Sequence, residues 1–201
     1  MIESVVYLFR IRAEAQLVSN LISHNGGTKG PIVIELEYED PSALAIVAHN
    51  HFEHNTGIVS GAALSLFSGV HSGLLSSSDT FCGGFVIRGN SFVGNAVMEK
   101  GGVVRHECSR SDLSSLNYDL LHEYYSESPS AEEKWLDWEL LGFSFQNASQ
   151  TVSLPSGDSL TFNPLLVEVS TNKFELNMRG SEGAVLKFER TPFFNLSDNA
   201  F

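Results

Sequence analysis

The chain is short of basic residues: 12 Lys and Arg stand against 24 Asp and Glu, for a formal charge of −12. No face basic enough to hold nucleic acid or an anionic membrane surface is expected, because both contacts rest on clustered cations. Charged residues as a class are sparse, at 18% against 42% apolar, which excludes a disordered polyelectrolyte and suits an ordered globular chain. No apolar run approaches the roughly 20 residues of a membrane-spanning helix. Met1 to Phe9 is apolar, but Arg10, Arg12 and Glu14 interrupt it. No charged n-region precedes a clean apolar core, so no signal peptide is expected. The two cysteines, Cys82 and Cys108, match neither a zinc spacing nor a Cys-x-x-Cys redox motif. They lie 26 residues apart and read as two buried thiols, with stacking as neighbours the alternative.

Phenylalanine (14) and glycine (17) are abundant while proline is limited to 6, a mix that fits short strands joined by tight turns. These residues fall in a repeat of two alternating apolar residues followed by Asn-x-Phe-x-x-Asn. Val167-x-Val169-x-x-Asn172-x-Phe174-x-x-Asn177 is the best copy. Ala45 to Asn55 and Phe85 to Asn95 keep the same register, Ala15 to Asn25 has Ile22 in place of Phe, and Leu196-Ser-Asp-Asn199 is a worn fifth. A Gly-led β-prone run follows each full copy, at Gly30, Gly61, Gly101 and Gly183. A register shared by four copies reads as an internal repeat.

Alternate side chains of a strand share a face, so Val167 and Val169 point together, as do Phe85 and Ile87. After a turn, Asn-x-Phe begins a second short strand with Phe inward. The closing Asn then sits at the next corner, where its amide can bond its counterparts one coil above and below. Asn25, Asn55, Asn95, Asn177 and Asn199 are the expected ladder. This predicts an all-β fold, a right-handed parallel β-helix in which each coil buries its face on its neighbours. A leucine-rich solenoid is the first rival, but copies start 30, 40 and 82 residues apart against the 20–29 of that repeat. A β-sandwich is the second rival.

The expected domain runs from 13 to 201, preceded by an N-terminal segment, 1–12. Pro31 to Tyr38 alternates as a strand, and Ser68 to Thr80 reads as an outer loop. Residues 111–141 break the rhythm: Leu113, Leu116, Leu120, Leu121 and Tyr124 recur at helical spacing, and Ser130-Ala-Glu-Glu133 opens a second helix as a capping box. The segment carries eight acidic residues against Lys134 and reads as a helical hairpin insertion with a solvated acidic face. Trp135 and Trp138 read as core rather than as a sugar platform. The copy at Leu196–Asn199 reads as a coil that continues into further repeats.

Phe52–Asn55, Phe92–Asn95 and Phe174–Asn177, each followed by a Gly-led run, resemble the repeat of the polymorphic outer-membrane passenger domains. The pattern is also similar to the wider pectin-lyase-like superfamily, and it covers about 140 of the 201 residues. The resemblance implies a secreted or cell-surface protein that binds or cleaves glycans or mediates adhesion. The Asn-Thr-Asp, Asp-Asp and Gly-His-Gly signatures of the pectinolytic hydrolases do not occur.

Glu35, Glu37 and Glu39 alternate on one outer face and read as solvated. Arg88 and Arg105 read as neighbouring outward arginines. His49, His51 and Glu53 share a face around Phe52 and are the weak candidates for a metal site. His106 with Cys108 is weaker still. Calcium is a possible cofactor if acids cluster. Asn147-Ala-Ser149 and Asn195-Leu-Ser197 are glycosylation sequons. The expected function is a non-catalytic surface or adhesion module that binds a glycan or protein partner. The alternatives are a polysaccharide lyase or glycoside hydrolase with acids from Glu35, Glu37 or the insertion, and a purely structural spacer.

Overall fold

The computed structural model describes residues 6–36, 43–59, 61–69, 71–72, 80–81, 84–99, 101–109, 149–163, 166–178, 185–189, 191 and 194–201. Among them the chain winds through five successive coils of short strands. The first holds β1 (Val6–Ile11), β2 (Glu14–Val18), β3 (Leu21–Ser23) and β4 (Gly26–Gly27). The second holds β5 (Ile32–Leu36), β6 (Leu44–Ala48), β7 (His51–Glu53) and β8 (Thr56–Gly57). The third begins with β9 (Leu64–Gly69), makes a small hairpin from β10 (His71–Ser72) and β11 (Thr80–Phe81), and continues as β12 (Phe85–Arg88), β13 (Ser91–Val93) and β14 (Ala96–Val97). The fourth has β15 (Val104–Ser109), a second hairpin of β16 (Gln150–Ser153) and β17 (Ser159–Phe162), then β18 (Val167–Ser170) and β19 (Lys173–Glu175). The last supplies β20 (Leu186–Glu189) and β21 (Phe194–Ser197).

Equivalent strands pair in parallel from coil to coil. The first sheet is β1-β5-β9-β15-β20, the second β2-β6-β12-β18-β21, the third β3-β7-β13-β19 and the fourth β4-β8-β14. The result is a set of parallel sheets stacked as a β-helix solenoid. The strand β1 pairs with β5 through Val6↔Ile32, Tyr7↔Val33 and Leu8↔Ile34, so Val6–Ile11 of the expected N-terminal segment is the edge strand of the first sheet among the described residues. The helical insertion expected at 111–141 lies outside the described residues. Part of the expected Ser68–Thr80 loop is instead the antiparallel β10–β11 pair.

The repeat's alternation becomes the core. Ala45, Phe85 and Val167 form one inward row of the second sheet, and Val47, Ile87 and Val169 the next. In the third sheet Phe52, Phe92 and Phe174 are buried, and their rings stack 4.8 Å apart at 8° and 4°. Phe201 continues the stack below Phe174 at 5.2 Å. Each such pair adds about 0.5–1.5 kcal/mol to its area burial. Identical residues at one repeat position therefore become face-to-face neighbours in space.

At the corners the asparagines form two ladders. In the first, Asn20, Asn50, Asn90 and Asn172 each donate from the side-chain amide to Oδ1 of the next, ending on Asn199, at 3.0 Å per step. In the second, Asn25 donates to Asn55, Asn55 to Asn95 and Asn95 to Asn177. Asn199 therefore stacks under Asn172 and not under Asn177, which corrects the single ladder read from the repeat. The worn copy preserves the first Asn of the motif, so the second ladder ends one coil earlier among the described residues. Each Oδ1 also takes the backbone N–H of the Asn above, as Asn95 does from Asn55 at 3.0 Å. The freed amide hydrogen reaches a carbonyl of the preceding coil, as Asn95 reaches Phe52 O at 2.9 Å. Asn50, Asn55, Asn90, Asn95 and Asn172 are buried, and within the stack both their amide and their carbonyl are bonded, which is the condition for placing them inside.

The residue before each ladder asparagine takes positive φ. Ser19, His49, Thr171 and Asp198 do so at one corner, and His24, His54 and Leu176 at the other, all between 51° and 58°. Gly89 and Gly94 fill the same positions in the third coil, at 64° and 61°. Side chains pay a small strain there, so the sharp bend is held by the ladder rather than by local preference.

A second core lies outside the coils. Leu44, Ile46, Ala48 and Val86 point out from the second sheet, yet all are buried, because Leu154, Leu160 and Phe162 of the β16–β17 hairpin cover them. This explains why β6 is buried at every position. Gln16 donates to Ser153 O at 3.2 Å and Arg88 to Thr161 O at 3.2 Å, pinning the strap to the first and third coils.

Candidate functional site

Three outward regions gather polar chemistry. The outward positions of the first sheet form two rows, Tyr7, Val33, Ser65, Arg105 and Lys187, then Glu35, Phe67, Glu107 and Glu189, of which Val33 and Ser65 are buried. At the early coils the face is aromatic. Tyr7 and Phe9 are about half exposed, with ring centroids 6.0 Å apart; Arg10 lies 5.1 Å over Phe9 and Lys29 5.0 Å over Phe67. Tyr7 OH donates to Glu35 Oε2 at 3.3 Å. At the later coils the face is ionic. Arg105 bonds Glu107 at 2.8 Å and also Glu189, and Lys187 reaches Glu189 at 2.8 Å. Burial pushes the Glu189 carboxyl up, but hydrogen bonds from Lys187 and Arg105 and their charges outweigh it and leave it below its ordinary value. A carboxylate held this way stays ionised and is a poor proton donor.

Arg88 belongs to the second sheet and Arg105 to the first, which corrects the expectation of two neighbouring outward arginines. Its Nε donates to Glu168 Oε1 at 2.9 Å and to Ser170 Oγ at 3.1 Å. Glu168 is buried beside the strap, and this ion pair belongs to the packing of the second core. Glu37 and Glu39 lie outside the described residues.

The third region is a histidine ridge over the first two coils. His51 and Glu53 flank the buried Phe52 on one face, as the alternation requires. His49 sits instead at the corner, beside Gly89, where an added Cβ would come 2.8 Å from its Nδ1. No three His, Cys, Asp or Glu side chains are arranged to hold a metal among the described residues, so the His49–His51–Glu53 set does not form a centre. Glu53 lies 3.9 Å from His51 Nε2 and 3.6 Å from His54 Nε2. The His54 ring packs against His24 of the previous coil, with centroids 5.2 Å apart at 51°. The sequence reading missed this pair. Its signal is the repeat register, which puts both histidines immediately before a second-ladder asparagine.

His106 is not a partner of Cys108 in any site. It points into the lumen, fully buried, with Nε2 2.9 Å from Ser68 Oγ, Nδ1 2.6 Å from Thr191 Oγ1 and its ring edge-on to Phe85. Burial pushes its pKa down to about 3, so the ring is neutral and satisfied by two hydroxyls. Ser68 is also fully buried, so the Ser–His pair is closed to substrate. Cys108 is buried and disulfide-bonded, against the expectation of two buried thiols; the chain's other cysteine, Cys82, lies outside the described residues. Asn195 is exposed on the outer face of β21, in register with Glu168; Asn147 is outside the described residues. No helix among the described residues is long and apolar enough to cross a membrane. The chain matches no protein-family model, no curated protein and no solved structure.

Proposed function

We propose that this chain is a non-catalytic β-helix module of a secreted or surface protein, right-handed and pectin-lyase-like in lineage, which binds glycan or protein through its outer sheet faces. The observation that carries this reading is the division of the first sheet's outer face. Aromatic rings stand exposed at Tyr7 and Phe9, while Glu107 and Glu189 are tied to Arg105. Exposed rings with flanking polar groups supply apolar contact area and a hydrogen-bonding edge, which suits a sugar ring or a peptide. Ion-paired carboxylates do not suit general acid work. The disulfide at Cys108 supports folding in an oxidising compartment, where such bonds persist. Contacts repeated along a flat face add by avidity.

The test is a glycan array run beside reducing-sugar and unsaturated-product assays on acidic polysaccharides, with and without calcium. Binding without turnover, weakened in Tyr7→Ala and Phe9→Ala, is the expected result. Turnover abolished by Glu35→Gln would establish the lyase or hydrolase instead, and neither binding nor turnover would leave a spacer.

A further inference from the structure

The ridge above the first two coils holds a donor pair that the repeat itself creates. His24 and His54 occupy the same corner of consecutive coils, one residue before Asn25 and Asn55. Both side chains are exposed, and ladder bonds fix both backbones: Asn25 N–H donates to Asn55 Oδ1 at 3.1 Å, and Asn55 N–H to Asn95 Oδ1 at 3.0 Å. The rings project from the same corner of neighbouring coils with centroids 5.2 Å apart. Two imidazole nitrogens ~2.0–2.1 Å from one tetrahedral ion place their ring centroids about 5 Å apart. The pair is therefore at chelating distance before any ion arrives. Glu53 Oε1, 3.6 Å from His54 Nε2, brings negative charge to the same point. The chain's formal charge of −12 favours a cation over an anion.

We propose that His24 and His54 form a two-histidine chelate for a divalent transition ion of the zinc, nickel or copper class, bridging the first coil to the second. Imidazole donors select that class over calcium or magnesium, which take oxygen ligands. Water completes the coordination, since two protein donors leave the other positions open. The third coil has Gly94 at this corner, against which His54 packs so closely that an added Cβ would lie 2.5 Å from its Nδ1. The site is thus bounded below by a residue with no side chain and spans two coils only. Its effect is to clasp the edge coil, because an ion bound only by the folded pair raises the free energy of detaching residues 21–25.

The experiment titrates zinc chloride into the full chain at about pH 7.5, reading affinity by calorimetry and edge-coil protection by amide hydrogen exchange. Expected are one equivalent bound, at least about tenfold weaker binding in His24→Gln and in His54→Gln, and zinc-dependent protection over residues 21–25 that both variants lose. His49→Gln and His51→Gln should bind as the wild type does. Zinc-free melting temperatures of the two test variants close to wild type separate a lost ligand from a lost fold, since both side chains are exposed. Undiminished affinity in His24→Gln or His54→Gln, or an equal loss in His51→Gln, would overturn the assignment.

Discussion

Acid should loosen this solenoid from inside its lumen, through His106. The imidazole is fully buried, and its pKa falls to about 3 from an ordinary 6.5 because burial penalises the charged form. The unfolded chain binds a proton there below pH 6.5, while the folded chain resists it until about pH 3. Stability is therefore intact above 6.5 and declines as pH falls through that window, by about 1.4 kcal/mol per pH unit. Between pH 7 and pH 5 the loss is ~2 kcal/mol, equivalent to about 4–8 °C in melting temperature for a chain of this size. Carboxylates add their own titration, chiefly below pH 5. Comparing urea midpoints of wild type and His106→Gln at pH 7 and pH 5 isolates the histidine. The variant should be weaker at pH 7, where it loses packing on Phe85 and one or both hydroxyl contacts, yet much flatter between the two values. Parallel pH dependences for the two proteins would refute the argument.

Three further outcomes follow from the packing. Asn95→Ala strands the Asn55 amide groups and Phe52 O, and it removes the acceptor and donor beneath them. It should cost about 3–5 kcal/mol at an estimated 1–3 kcal/mol per orphaned group, read as a lowered urea midpoint. Leu176→Gly should stabilise by roughly 0.5–1 kcal/mol, because this 87% exposed side chain holds φ at 51°; relief of about 1–2 kcal/mol of strain exceeds the entropy cost of glycine. Phe162→Ala should cost about 3–4 kcal/mol by opening the outer core, and amides of β16 and β17 should lose exchange protection before those of β6.

The coil was legible because two of its parts are chemically costly to misplace. A buried asparagine demands another at the same corner, and a lumen phenylalanine demands an apolar neighbour above and below. Both demands leave a fixed spacing, and Phe52, Phe92 and Phe174 appeared where the spacing put them. What the strap covers was not legible: Val152, Leu154, Leu160 and Phe162 alternate with polar residues as in any half-buried strand, and nothing in that pattern names the outer face of the second sheet as its target. For the same reason Ile46 and Val86 read as members of a strand without revealing a second buried side. His106 was opaque because Ser68 and Thr191, which satisfy it, are 38 and 85 residues away. The His24–His54 pair was latent in the register, but a histidine before an asparagine carries no signal until the corners are superposed.

Most of the uneven spacing of the copies falls at one margin. Two residues always separate the second-sheet strand from the third, and two separate the third from the fourth wherever both strands occur, whereas the step from first sheet to second takes two residues in the first coil, seven in the second and 57 in the fourth. Chain length is thus widely variable at one margin, varies only between four and six residues on the return from the fourth sheet to the first, and is fixed at the two asparagine corners. A lineage of such proteins could lengthen, shorten or exchange what leaves that margin at little closure cost, since a loop's penalty grows only with the logarithm of its length. The ladders keep count of corners, not residues, so novelty added along that seam never has to be renegotiated with the rest of the molecule.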